Sequence, residues 1–172
     1  NMSEDQLITE LLPFMERPEA EGGLPDSVER PIDRDYFKQV IPLVHERLKL
    51  LTEGTDTLDF FFADNVNPAA EDLPGRKMDA EMTERALVAA LELCKTVTSF
   101  EPEDLEAEYR ALAEKIEMKP GQLFSPIRVA TTGKSFAPPL FDTMAAIGQD
   151  RCVERIEKAI GILRSAAQSS AE

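Results

Sequence analysis

Apolar residues return every three or four positions along most of this chain and almost nowhere at every second position, which is the helical period and not the strand period. Ser3 and Gln6 have capping-box spacing, and Leu7, Ile8, Leu11, Leu12 and Met15 follow on one face. A first helix is expected there, bent or ended early by Pro13. Arg17 to Pro31 is acidic and rich in Pro and Gly and reads as a loop. From Asp33 onward Phe37, Val40, Ile41, Val44, Leu48 and Leu51 form a single stripe, interrupted by a kink at Pro42. Thr52 is placed to cap a short helix carrying Leu58 and the run Phe60, Phe61, Phe62.

A polar link with Pro68, Pro74 and Gly75 runs from Ala63 to Lys77. Beyond it the period predicts a helix from about Asp79 to Val97, with Met82, Ala86, Leu87, Ala90, Cys94 and Val97 on one side. Leu105, Tyr109, Leu112 and Ile116 mark the next, with acidic residues from Glu101 to Asp104 suited to its N-terminal dipole. Three short helical pieces are expected after that, then a helix from about Gln149 to Ala167 through Val153, Ile156, Ile160 and Leu163, and a fraying tail from Gln168. Only Ile127 to Ala130 is ambiguous between helix and strand. The pattern predicts an all-α protein of two helical subdomains, 1–75 and 76–172.

With 172 residues, 42% hydrophobic and 30% charged, the composition is globular. No apolar run approaches the roughly 20 residues of a membrane span, and the N-terminus lacks the pattern of a signal peptide. Cys94 and Cys152 fall within helical patterns among apolar neighbours, as core thiols of a reducing compartment such as the cytoplasm would. A disulfide between them is not excluded by sequence.

The net charge of -14 argues, taken whole, against binding a phosphate polymer. It is unevenly spread. Between Lys119 and Arg164 stand Lys119, Arg128, Lys134, Arg151, Arg155, Lys158 and Arg164 against Asp142, Asp150, Glu154 and Glu157, leaving that segment at +3 and the rest at -17. A local positive surface on an acidic body can steer RNA; a solvated helix face of mixed charge is the plainer alternative.

No catalytic constellation is present in the sequence. His45 is the single histidine, so a multi-histidine metal site and a Ser-His-Asp arrangement both lack parts. Thr131 to Lys134 has the Gly-Lys of a phosphate loop without its upstream glycine. Neither cysteine has a CxxC partner.

The segment Lys119 to Gly148, KPGQLFSPIRVATTGKSFAPPLFDTMAAIG, is far more densely punctuated than a helix bundle requires. Pro126-Ile127-Arg128-Val129-Ala130-Thr131-Thr132-Gly133 leads into Pro138-Pro139-Leu140-Phe141 and a Gly-ended helix. This run resembles the C-terminal anticodon-binding region of bacterial glutamyl-tRNA synthetases, and the likeness extends more weakly over the preceding helices. The resemblance implies a helical fold that binds the anticodon loop of tRNA-Glu, acting in the cytoplasm as part of a monomeric enzyme. The family's ATP-site signatures are not in this sequence. Aminoacylation, with its ATP and magnesium, is therefore expected of a parent catalytic domain, and no cofactor of this segment.

By the same resemblance Arg128 takes the place of the arginine packed on the first anticodon base, and Leu140 the place where backbone and apolar contacts sense that base. Arg110 falls where the family has another basic contact to the loop, and Lys119 and Lys134 suit phosphate contacts. Arg47 matches a position associated with demanding C at the third anticodon position, against the G of glutamine tRNAs. Each has a plainer alternative: a surface ion pair for Arg128, a core role for Leu140, pairing with Glu103, Glu106 or Glu114 for Arg110, and a solvent-facing side chain beside Glu46 for Arg47. A helical protein-interaction module that kept this architecture without RNA contact is the competing function.

Overall fold

A computed structural model describes residues 2–45, 48, 50–75, 77–135 and 138–171, and the chain divides into two compact units, Asn1–Asn65 and Val66–Glu172. Among the described residues the ordered elements are eight α-helices and three short 3₁₀ turns.

The first unit is built on α1 (Glu4–Met15), α2 (Arg34–Val44) and α3 (Gly54–Phe62). Ser3 and Gln6 form the expected capping box, each accepting from the other's backbone N–H. Pro13 does not end α1 early. It sits on the exposed side, while Leu7, Ile8, Leu11 and Met15 are buried, so packing on the inner face outweighs the lost hydrogen bond on the wet one. In α2, Asp33 caps Asp35 and Tyr36, and Phe37, Val40, Ile41 and Val44 are buried. The helix stops at Val44, two residues beyond Pro42. Leu48 and Leu51 therefore do not continue it; Leu51 opens a 3₁₀ turn, Leu51–Glu53, that runs directly into α3. Thr52 lies inside that turn, and the residue capping α3 is Glu53. Phe60 and Phe61 fill the core, and the half-buried Phe62 meets Tyr36 edge-on at 5.6 Å and Phe37 at 5.3 Å.

The loop after α1 is organised by one side chain. The Arg30 guanidinium donates to the carbonyls of Glu16, Arg17, Leu24, Pro25 and Val28. Glu19 and Asp26 close the same loop by accepting from each other's N–H.

The second unit contains α4 (Ala80–Thr96), α5 (Pro102–Lys115), α6 (Pro120–Thr132), α7 (Leu140–Ile147) and α8 (Gln149–Ala171). Residues 66–75, grouped by their polar composition with the first subdomain, belong here instead: Val66 and Leu73 are buried, and the turn Ala70–Asp72 lies against α8. Helix α4 packs on α8 and α6, and α5 packs on α7. Among the described residues two helices, α6 and α7, stand between α5 and α8 where three short pieces are expected, and Ile127–Ala130 lies within α6. Helix α8 is assigned as far as Ala171.

Cys94 of α4, Tyr109 of α5 and Cys152 of α8 are all fully buried, with the Tyr109 hydroxyl donating to the Ala90 carbonyl at 3.0 Å. Both cysteines are free thiols. Burial pushes the Cys94 thiol up to about 11 and raises Cys152 and Tyr109 as well.

Candidate nucleic-acid interface

Helix α6 carries the dense motif. Pro120 opens it with a preset φ, and the Lys119 N–H is taken by the Gln122 side chain at 3.2 Å. Leu123, Ile127 and Ala130 are fully buried, which leaves Arg128 half-buried at the edge of the packed face. The helix ends because Gly133 adopts φ +74°, a left-handed turn that disfavours a side chain. The hydroxyls of Thr131 and Thr132 donate back to the Ile127 and Arg128 carbonyls, at 2.8 and 2.7 Å, and Thr132 accepts the Lys134 N–H. The Thr-Thr-Gly-Lys run is thus a helix-ending turn.

Arg128 reaches across this turn and donates to the Pro138 carbonyl at 3.0 Å. Pro138 and Pro139 set the chain for α7, whose first two residues, Leu140 and Phe141, are buried. Phe141 meets Phe124 of α6 perpendicularly at 5.0 Å and Tyr109 of α5 at 5.8 Å. From α5, the exposed Arg110 pairs with Glu106 at 3.6 Å and holds its guanidinium 5.6 Å above the Phe124 ring.

An open hollow of about 400 Å³ results, lined among others by Arg110, Arg128, Phe124, Leu140, Glu106 and Asp142. Three of the residues singled out in the sequence, Arg110, Arg128 and Leu140, therefore meet at one place although they come from three helices. Arg110 also has the Glu106 partner that its helical spacing allows, and Leu140 is buried as well as lining the hollow. Lys119 and Lys134 stand outside it, at opposite ends of α6 and about 20 Å apart along the helix. Arg47 lies outside the described residues.

The positive segment read from the sequence is largely tied within the fold. Arg155 is buried and donates to the Thr131 carbonyl, Arg151 donates to the Ile147 carbonyl, Lys158 to Asn67, and Arg164 pairs with Glu84. The hollow itself has Glu103, Glu106 and Asp142 beside its two arginines, so it is not a basic patch. Sequence reading passed over Phe124. Its signal is the spacing: it precedes Arg128 by one helical turn, as Glu106 precedes Arg110.

Helices α5, α6 and α7 thus bring an aromatic face flanked by two arginines to one open hollow. Residues 6–160 match the family described as the anticodon binding domain, and the chain belongs to that family. Over 165 residues it is 43% identical to the glutamate–tRNA ligase of Roseiflexus castenholzii, covering 96% of this chain and 32% of that protein. It is likewise 43% identical over 171 residues to the glutamate–tRNA ligase of Chloroflexus aurantiacus, covering 96% of this chain and 33% of that one. The chain thus spans about a third of the length of these curated relatives. A solved glutamate–tRNA ligase from Elizabethkingia meningosepticum shares the fold, with a TM-score of 0.71 at 22% identity over 94% of this chain and 30% of that one. Among the described residues no helix is long and apolar enough to cross a membrane.

Proposed function

We propose that this chain binds the anticodon loop of tRNA-Glu as the C-terminal part of a glutamate–tRNA ligase, and carries no catalysis itself. The observation that supports this best is the meeting of Arg110, Arg128 and Leu140 around one hollow, within a chain of the anticodon-binding family. An anticodon loop offers unstacked bases, which proteins bind by combining stacking with hydrogen bonds to base edges. A guanidinium suits this because it is flat, always charged and carries several donors. Leu140 opens α7 and lines the hollow, so the start of that helix offers apolar surface beside the two arginines.

On this reading the attachment of glutamate, with its ATP and magnesium, belongs to a parent catalytic domain, and the enzyme works as a cytoplasmic monomer. Lys119 and Lys134 contribute phosphate contacts without sequence content. Arg47 reads the third anticodon base and favours C over G, by about 1–3 kcal/mol if it behaves as other base contacts do.

The test is fluorescence anisotropy with anticodon hairpins of tRNA-Glu and tRNA-Gln at two salt concentrations. Weak, salt-sensitive binding that prefers the glutamate hairpin is expected, and Arg47→Gln should narrow the preference. Equal affinity for both hairpins and an unrelated one, or no binding at low salt, overturns the reading.

A further inference from the structure

We infer that Phe124 is a stacking platform for one unpaired nucleobase, and that Arg110 covers this platform until the base arrives. The inference rests on the RNA-binding reading above and adds to it a residue and a ligand chemistry.

Phe124 is half-buried in α6 and lines the hollow. It is braced from the core side: Phe141 meets it at 88°, and Phe141 in turn leans on the fully buried Tyr109. An aromatic ring so held offers a rigid flat surface with little rotamer freedom left to lose on binding. In the structure it is the Arg110 guanidinium that lies over it, at 5.6 Å, farther than close stacking and on an exposed side chain. What restrains Arg110 there is its exposed pair with Glu106 at 3.6 Å, the kind of contact that holds weakly in water. A planar ligand can therefore move the guanidinium aside or slip beneath it, keeping a cation–π contact on its outer face.

Charge selects the part of the RNA. The hollow is lined by Glu103, Glu106 and Asp142 against Arg110 and Arg128, an excess of carboxylates that disfavours a phosphate. An uncharged base has no such penalty, since every base presents a π face to an aromatic ring. Its donor groups can meet the carboxylates, and its acceptors the arginines. The hollow, at about 400 Å³, accommodates a small planar group.

The chain contains no tryptophan, so Phe124→Trp installs a single indole reporter at the platform. The experiment titrates this variant with the tRNA-Glu anticodon hairpin, following tryptophan emission together with the anisotropy of a label on the RNA. Three further hairpins each carry an abasic residue at one anticodon position. Quenching by the intact hairpin is expected, and it should be lost with one of the three abasic hairpins. A second variant, Phe124→Leu, keeps apolar bulk against Phe141; its hairpin affinity should fall about ten-fold with an unchanged salt slope. Anisotropy showing binding while emission stays constant, or quenching that survives all three abasic substitutions, overturns the platform and leaves RNA binding standing. Absence of any hairpin binding overturns both.

Discussion

The Arg128 guanidinium donates to the Pro138 carbonyl at 3.0 Å, and that oxygen also accepts the Thr143 hydroxyl at 3.3 Å. One backbone atom thereby joins the C-terminal half of α6 to the first turn of α7. The guanidinium that faces the hollow is consequently oriented by the backbone that shapes it.

Arg128→Lys is therefore expected to behave much like Arg128→Ala. Lysine keeps the charge but cannot hold the Pro138 carbonyl and also present a flat face to a base. Both variants should lose about ten-fold in anticodon-hairpin affinity, an effect near 1.4 kcal/mol. Near-normal binding by the lysine variant would show that only the charge matters.

Gly54, the first residue of α3, lies against Leu11 of α1. A Cβ there would lie 2.5 Å from the Leu11 Cδ2, and Leu11 is fully buried. Gly54→Ala should destabilise by about 1–3 kcal/mol through overpacking, and Leu11→Ala by about 2–5 kcal/mol through the cavity it leaves. The double variant should cost clearly less than the two together, because the new methyl enters the space that leucine vacates. Additive losses in chemical denaturation would rule out this contact.

Arg30 is held by carbonyls of Glu16, Arg17, Leu24, Pro25 and Val28, a fan of acceptors that only a guanidinium can meet. Replacing it by lysine should cost about 2–3 kcal/mol, nearly as much as replacement by alanine. Limited proteolysis within residues 17–31 should accelerate in both variants. Protection equal to the parent chain would mean that the backbone holds the loop without this side chain.

Alkaline pH should destabilise the second unit. Burial favours the neutral forms of Cys94, Cys152 and Tyr109, whose ordinary values are 9.0 for the thiols and 10.0 for the phenol, and lifts Cys94 to about 11. Folding stability from these groups is complete below about pH 8 and is lost as pH rises through 9 toward 11, because the unfolded chain ionises first. Denaturation midpoints measured at pH 7, 9 and 10.5 should fall in that order. At pH 8 neither thiol should react with a thiol-specific reagent until the chain unfolds.

The helices of this protein are largely legible in its sequence because each buries an amphipathic face of the helical period. Ser3, Asp33 and Asp79 cap α1, α2 and α4 through their own side chains, a local chemistry that needs no partner helix. The stripe through Leu48 and Leu51 misled for a related reason. Periodicity counts apolar positions and does not register the helix end beyond Pro42, so one stripe ran across a helix and a separate turn. The link after Ala63 looked polar because few of its residues are apolar, yet Val66 and Leu73 are buried in the second unit.

Local patterning alone determined that this chain is helical and where most helices start, and it marked Lys119 to Gly148 by its dense punctuation. Capping, proline and glycine placement and the 3.6-residue period act within a few residues, so they can be read without coordinates. Tertiary packing decided which charges remain available and which side chains share a space. It tied Arg155 and Arg164 to partners within the second unit, set Arg110 over Phe124, and brought α5, α6 and α7 around one hollow. Those outcomes depend on contacts between residues distant in the chain, which no local pattern encodes.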